Sequence, residues 1–333
     1  MRHWLERWIH SVWYDGAVSG IVLVPLSWLY HLVLLVRAYF FTRGWKARYR
    51  SSLPVIVVGN ITAGGVGKTP FVIWLVEWLQ RKGHKPGVIT RGYGGELSDS
   101  TFVTTLHSAR EVGDEALMMF RRLSVPVVVG RSRSNSAAML EESGVTIIVT
   151  DDGLQHYALE RDVEICLVDG QRKFGNGRLL PSGPLREPVN RLESVTTVVN
   201  HVAALDDGQS GMALGNPRLR QLTTGQTREL SVFEGKSVHA VAGLGNPERF
   251  FTSLERAGLN VVAHPFSDHH DYVSHDVDFA DDLPVLMTDK DAVKCEHFAR
   301  DTFYAVRVDA QVSSDVERSI LEAVNSFRVK ARN

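Results

Sequence analysis

Cysteine is scarce. Cys166 and Cys295 are the two in 333 residues, they lie far apart, and neither belongs to a CxxC or to a His/Cys cluster at metal-ligand spacing. This argues against a disulfide framework and a structural zinc and for a reducing compartment. An excess of charge of one sign is lacking as well. With 37 Lys and Arg against 38 Asp and Glu the formal net charge is −1, so no global field draws the chain to a polyanion, and nucleic acid is not expected as a partner. Internal repeats and low-complexity tracts are absent. At 44% hydrophobic and 23% charged residues the chain reads as globular, neither disordered nor fibrous, with room for two domains or one large one. Nothing in it calls for an obligate protein partner.

Charge is missing most conspicuously near the N-terminus. From Ala17 to Val36 there is no Asp, Glu, Lys or Arg across 20 residues, about the length of one bilayer crossing. Pro25, Gly20, Ser19, Ser27 and His31 count against a spanning helix. A charged, Trp-rich start and the lack of a small-residue cleavage site count against a cleaved signal. Arg37, Arg43, Lys46, Arg48 and Arg50 follow, among aromatic residues suited to an interface, which puts the remainder of the chain on the cytoplasmic side. Residues 1–50 are therefore read as a membrane-associating helical segment, spanning or in-plane.

Beyond Ser52 short runs rich in Val and Ile recur: Val55–Val58, Gly87–Thr90, Val125–Val129, Val145–Thr150, Glu164–Val168 and Val195–Val199. Runs apolar at every position suit strands buried on both faces of a parallel sheet, so the expectation is an α/β fold, residues 51–200, with helices on both faces. Between 201 and 236 Gly, Asp, Gln, Asn and Thr dominate, which predicts a linker in the form of a β-ribbon. A smaller α/β unit, 237–333, follows, with strands at His239–Gly243, near Val261, near Val285 and at Tyr304–Val308.

The strand Val55–Val58 runs into Gly59-Asn-Ile-Thr-Ala-Gly-Gly-Val-Gly-Lys-Thr-Pro70 and then an amphipathic stretch, Phe71 to Arg81. Strand, Gly-rich loop, Lys-Thr and helix in that order is the setting of a phosphate-binding loop, and a P-loop NTPase-like sheet is expected. The amides of Thr62, Ala63, Gly64, Gly65, Val66 and Gly67 would turn onto phosphate oxygens. Lys68 would reach the β- and γ-phosphates and the Thr69 hydroxyl would ligate Mg²⁺. Thr62 stands where the first glycine of GxxxxGK(S/T) belongs. The run Val145–Thr150 ends in Asp151-Asp152, a buried strand delivering one or both carboxylates to the metal. Gln155 and His156, just beyond, suit metal water or substrate. The lysine of partition-type ATPases is Ala63 here, and Thr288-Asp-Lys-Asp291 misses the guanine-reading (N/T)KxD by one inserted residue, so the nucleotide is read as ATP.

Phosphoryl transfer to an alcohol needs a group to take the proton. Gly113-Asp114-Glu115 opens a helix, a position that suits a base and equally an ordinary helix-terminal charge. Arg91-Gly-Tyr93 and Arg131-Ser-Arg-Ser134 follow strands and can contact phosphate or sugar. Phe266-Ser-Asp-His269-His270 lacks further ligands at metal spacing, so a site histidine oriented by Asp268 is preferred over a bound zinc.

Taken together these residues resemble the tetraacyldisaccharide 4'-kinases, membrane-associated enzymes that phosphorylate the lipid A precursor of Gram-negative outer membranes. The resemblance spans essentially the whole chain. It rests on the apolar N-terminus, the 59–70 loop, Arg91-Gly-Tyr-Gly94, Gly113-Asp-Glu115, Asp151-Asp-Gly-Leu-Gln-His156, Leu180-Pro-Ser-Gly-Pro-Leu-Arg-Glu-Pro188, Gly243-Leu-Gly-Asn-Pro247, Phe266-Ser-Asp-His-His270 and Thr288-Asp-Lys-Asp-Ala292, in that order. Leu154 departs from it, where an aromatic is expected. The resemblance implies a P-loop domain and a smaller α/β domain joined by a β-ribbon, a cleft that closes on MgATP, and a place on the cytoplasmic face of the inner membrane. It also implies that Asp114 acts as base with His269 or His270.

The expected activity is transfer of the γ-phosphate of ATP to the 4'-hydroxyl of a tetraacylated glucosamine disaccharide 1-phosphate. Arg186, between the prolines of its loop, is a further candidate for holding sugar or phosphate, and Glu115 and Tyr93 stand beside it as substrate candidates. A membrane anchor fits such a substrate, because lifting acyl chains out of a bilayer costs about 0.8 kcal/mol per CH₂ exposed. The rival reading is a membrane-associated P-loop switch or ATPase with no lipid acceptor.

Overall fold

The computed structural model describes residues 2–205 and 209–330; Met1, Asp206–Gly208 of the expected linker and the last three residues lie outside the described residues. The strands are β1 (Val55–Gly59), β2 (Pro86–Thr90), β3 (Thr101–Phe102), β4 (Val127–Val129), β5 (Ile147–Thr150), β6 (Val163–Asp169), β7 (Thr197–His201), β8 (Met212–Leu214), β9 (Arg218–Gln221), β10 (Thr227–Glu229), β11 (Ser237–Ala242), β12 (Asn260–Pro265), β13 (Val285–Thr288), β14 (Phe303–Arg307) and β15 (Ala310–Val312). The helices are α1 (Arg2–Tyr14), α2 (Val24–Thr42), α3 (Lys68–Arg81), α4 (Ala109–Val112), α5 (Asp114–Leu123), α6 (Arg133–Glu141), α7 (Glu248–Arg256), α8 (Asp289–Cys295) and α9 (Ser314–Lys330). The chain forms two compact units. The first holds residues 1–90, 132–214 and 310–333, the second 91–131 and 215–309.

In the first unit the strands run in the order β15-β8-β7-β6-β1-β5-β2. β1 pairs in parallel with β5 and β6, and β2 with β5, so the apolar runs do form a parallel sheet. Every residue of β1, β2 and β5 is buried, inward and outward positions alike, which requires cover on both faces. α3 packs on β1 and β2, α6 on β2, and α9 on β6 and β7. Leu154 is fully buried, and a Cβ on Gly59 would stand 2.7 Å from it, so the aliphatic side chain fits where β1 leaves room for it.

The second unit is built on a sheet of order β10-β9-β14-β13-β11-β12. Val238, Ala240 and Ala242 of β11 enter one apolar cluster with Phe251 and Leu254 of α7, while Val241 enters another with Met287 and Ala292, so this sheet too is covered on both faces. α5, from the 91–131 segment, packs on α8. The linear division at 200 and 236 therefore differs from the contacts: 91–131 clusters with the C-terminal segment. Within the 201–236 stretch β8 joins the first sheet, and the antiparallel β9–β10 ribbon extends the second.

At the N-terminus α2 docks along one stripe. Ser27 Oγ donates to Leu179 O (2.8 Å), Tyr30 OH to Arg186 O (2.9 Å) and Arg37 Nη2 to Gln155 O (2.7 Å), while Phe41 is buried. Leu26, Trp28, Leu29, Leu32 and Val33 lie on the other sides and are exposed, as is Val22 in the turn just before the helix. The segment Val18–Thr42 is long and apolar enough to cross a membrane by length and composition.

Candidate active site

β1 ends at the bottom of the Gly-rich loop and α3 begins at Lys68. Gly67, the residue before α3, has φ +87°, and a Cβ there would stand 3.0 Å from His201 Nδ1. Only glycine reverses the chain into the helix at that place without strain. The departure at Thr62 has a visible cause: the loop entry is an extended strap, pinned to the 184–186 backbone. Thr62 bridges Leu185 in an antiparallel sense, Ala63 N–H donates to Pro184 O (2.7 Å), and Asn60 Nδ2 donates to Thr62 O (2.6 Å). A residue in this extended, buried conformation needs no glycine. Arg172 Nη2 donates to Gly65 O (2.6 Å) and His201 Nδ1 lies 3.2 Å from Val66 O, which hold the tip. Gly64 and Gly65 themselves are exposed.

Lys68 Nζ donates to Asn60 Oδ1 (3.0 Å) and lies 3.4 Å from Asp152 Oδ1. Arg186 Nη1 donates to both carboxylate oxygens of Asp152 at 3.2 Å. Burial pushes the Asp152 carboxyl up, but Lys68 and Arg186 outweigh it and hold it below the ordinary carboxylate range. Asp151, at the end of β5, is buried, and its carbonyl accepts from the buried Arg133 (2.9 Å). Gln155 Nε2 donates to Asn60 O (3.1 Å), and the His156 carbonyl accepts from Arg161 Nη2, so both brace the loop through the backbone. Thr69 sits half-buried in the first turn of α3. Thr69, Asp151 and Asp152 together offer oxygen donors only, the chemistry that suits Mg²⁺, which takes one or two protein carboxylates and completes its shell from phosphates and water.

The second constellation lies within the second unit. Asp114 is the first residue of α5; its Oδ1 accepts the Glu115 N–H (2.9 Å) and its Oδ2 lies 2.9 Å from His269 Nδ1. Lys294 Nζ and Lys290 Nζ approach the same Oδ2 at 3.5 and 3.7 Å. Burial raises the Asp114 carboxyl, and His269 with the two lysines more than reverses this, leaving it depressed. The bond to Asp114 in turn lifts His269 above its ordinary 6.5. His269 holds a left-handed backbone (φ +60°), and the Tyr93 ring stands 5.2 Å from its imidazole. A Cβ on Gly94 would come within 3.0 Å of His269 Nδ1, so the Arg91–Gly94 loop is built to admit that ring. A cavity of about 190 Å³ opens beside the pair, lined by Gly94, Arg110, Asp114, His269, Asp271 and Lys294.

His270 points elsewhere. Its Nε2 lies 3.0 Å from Asp276 Oδ2, and its ring packs on Phe266 and Tyr272. Of the two histidines, His269 is the one that meets Asp114. Arg91 and Arg131 are exposed, and neither makes a side-chain hydrogen bond or ion pair among the described residues. Asn60, Arg133, Lys290 and Lys294 were not singled out from sequence as site residues. The two lysines carried a legible signal, since four-residue spacing puts them on one face of a helix; Asn60 and Arg133 carried none.

Comparisons with known proteins fit this geometry. The model of the family described as tetraacyldisaccharide-1-P 4'-kinase (LpxK) matches residues 19–325. A tetraacyldisaccharide 4'-kinase of Methylobacillus flagellatus is 46% identical over 328 residues, 98% of this chain and 98% of that protein. One from Nitrosococcus oceani is 43% identical over 323 residues, 96% of this chain and 95% of that protein. Among solved structures, LpxK from Aquifex aeolicus in complex with ATP aligns with a TM-score of 0.79 at 25% identity, over 92% of this chain and 99% of that one.

Proposed function

The chain belongs to the tetraacyldisaccharide-1-phosphate 4'-kinase family, and from that premise we propose how its residues divide the work. It is an ATP-dependent kinase of the lipid A precursor, a tetraacylated glucosamine disaccharide 1-phosphate phosphorylated at the 4'-hydroxyl. The 4'-oxygen attacks the γ-phosphorus in line, the bond from that phosphorus to the β–γ bridging oxygen breaks, and ADP leaves. The loop amides from Thr62 to Gly67 bind phosphate oxygens. Lys68, exchanging Asp152 for phosphate, neutralises charge as it spreads over the transferring group. Thr69 with Asp151 or Asp152 would hold Mg²⁺, which supplies further neutralisation when bound. Arg186, keyed to Asp152 and to the Thr62 strap, orients the carboxylate and is the best placed of the substrate candidates.

The acceptor proton goes to the Asp114–His269 pair. The observation that carries this is the 2.9 Å contact between His269 Nδ1 and Asp114 Oδ2. With Nδ1–H donated to the carboxylate, the free lone pair of the neutral imidazole is on Nε2, and the imidazolium formed on proton uptake is stabilised by the anion beside it. The pair titrates as a unit. Tyr93 and Glu115, close to it, are the substrate candidates on this side.

The docking of α2 supports an in-plane anchor on the cytoplasmic face of the inner membrane. Three of its polar side chains are spent on backbone carbonyls of the globular body, and a helix so tied cannot leave that body to cross a bilayer unless those carbonyls enter hydrocarbon too. The exposed apolar face meets lipid instead, with Arg43, Lys46 and Arg48 toward anionic headgroups. The test of the activity is transfer of labelled γ-phosphate from ATP with Mg²⁺, in detergent, to the tetraacylated disaccharide 1-phosphate. Label on the lipid that is lost with Lys68→Ala supports the reading; nucleotide hydrolysis without labelled lipid, in folded protein, refutes it in favour of a switch or ATPase.

A further inference from the structure

Two sequence motifs, Gly243–Pro247 and Thr288–Ala292, take no part in the chemistry above, yet both lead to Asp114. Asp291, fully buried in α8, accepts the Gly243 N–H (3.0 Å) and the Thr288 hydroxyl (2.6 Å) on Oδ2. Its other oxygen, Oδ1, lies 3.1 Å from Lys294 Nζ. Lys294 is 7% exposed, its ammonium stands over the Tyr272 ring at 5.0 Å, and it reaches Asp114 Oδ2 at 3.5 Å. The ammonium is thus shared between a fixed carboxylate and the carboxylate that holds His269.

We propose that Lys294 is a positioning residue: anchored by Asp291, it fixes the Asp114 carboxylate and sets the pH at which the Asp114–His269 pair accepts a proton. A buried ammonium must be paired, and here the geometry of the pairing is dictated from behind, through Asp291, by backbone and hydroxyl donors that do not titrate. Asp114 Oδ2 then has one orientation, toward His269 Nδ1. A positive charge so close to the pair also disfavours its protonated form, countering the effect of Asp114 on His269. Lys290 is the second cation on the pair and weighs on both Asp114 and His269, but it lacks the anchor that Asp291 gives Lys294. It is farther from Asp114 and donates to Asp268 Oδ1 at 3.2 Å. The other titratable or charged groups around the cluster are Glu115 on α5, Asp268, Tyr272 and Asp276 on the segment after β12, Cys295 at the end of α8 with Glu296 beside it, and Arg110 and Asp271 at the cavity.

This rests on the reading of the pair as proton acceptor, and the experiment separates the two. kcat/KM for the lipid acceptor is measured against pH for the full-length enzyme and for Lys294→Met, Lys294→Arg, Asp291→Asn and Asp114→Asn, with thermal unfolding and KM for ATP alongside. In Lys294→Met the acid-side inflection should rise by about one pH unit with KM for ATP unchanged, and in Lys294→Arg it should return toward the native position. Asp291→Asn removes a negative charge from the same cluster and should move the inflection down. An inflection that stays at its native pH in folded Lys294→Met overturns the proposal, because a merely structural lysine would lower activity equally at every pH. If Lys294→Met does not fold, Asp291→Asn decides: a downward move supports the proposal, and no move or an upward one overturns it. In Asp114→Asn the inflection should fall as His269 loses the carboxylate that raises it; an inflection that keeps its native pH there overturns the reading of the pair itself, whatever the lysine variants do.

Discussion

His269 Nδ1 and Asp114 Oδ2 are 2.9 Å apart across 155 positions of sequence. The contact joins the first residue of a helix to a residue in left-handed backbone after a strand. Neither place is a default for its residue type, and non-glycine backbone of this kind persists where its surroundings hold it.

The pH dependence follows from the two shifts, with opposite signs for activity and stability. Transfer needs the pair unprotonated, so kcat/KM should rise with pH through a His269 pKa lifted above 6.5. The contribution of His269 to folding is complete below 6.5 and is lost as pH climbs through that raised value. Asp114, depressed below 3.8, contributes above 3.8 and ceases to as pH falls through its folded pKa. The difference in unfolding free energy between the native chain and Asp114→Asn should therefore be largest between about pH 4 and 6 and shrink on the alkaline side, as read by thermal melts across pH.

Lys68→Ala should reduce transfer by about 10²–10³-fold or more and leave Asp152 facing Arg186 alone. Stability should change little, since the lysine is at a site built for phosphate. Steady-state kinetics beside a melting curve checks both.

Gly94→Ala tests the packing of the pair. The new Cβ would crowd His269 Nδ1 at 3.0 Å in a backbone of φ +82°, and displacement of the imidazole by a fraction of an ångström to one ångström should cost about 10²-fold in kcat. ATP affinity, set by a different loop, should stay the same in a binding titration.

The apolar face of α2 makes a separate prediction. Leu26→Gln, Leu29→Gln and Val33→Gln together should release the enzyme from vesicles containing anionic lipid, since each side chain loses about 2 kcal/mol of burial, and should raise KM for the lipid without altering ATP binding. Tyr30→Phe, on the docked stripe, should instead cost about 1 kcal/mol of stability and leave flotation with vesicles unchanged.

The parallel sheet and the phosphate loop were legible because both are local. Residues such as Ile56 and Val149 declare strands buried on two faces by unbroken apolarity, and Gly67-Lys68-Thr69 declares the turn into α3. What escaped was long-range. Residues 91–131 carry strand and helix signals like those of their neighbours in sequence, and only contacts such as that of α5 with α8 assign them to the second unit. The choice between His269 and His270 depends on which way two adjacent side chains point after β12, and alternation there is broken by a left-handed residue no pattern announces. Lys294 showed only that it shares a helix face with Lys290; its role was hidden because Asp114, the carboxylate it reaches, comes from a distant segment.

The most direct test of the account is the rate of appearance of labelled γ-phosphate on the lipid acceptor in Asp114→Asn, with ATP binding measured in the same preparation. The account predicts a fall in kcat of about 10²–10⁴-fold and an ATP affinity within about twofold of the native chain. Loss of ATP binding together with transfer would contradict it and would move Asp114 from proton acceptance to the holding of nucleotide or metal.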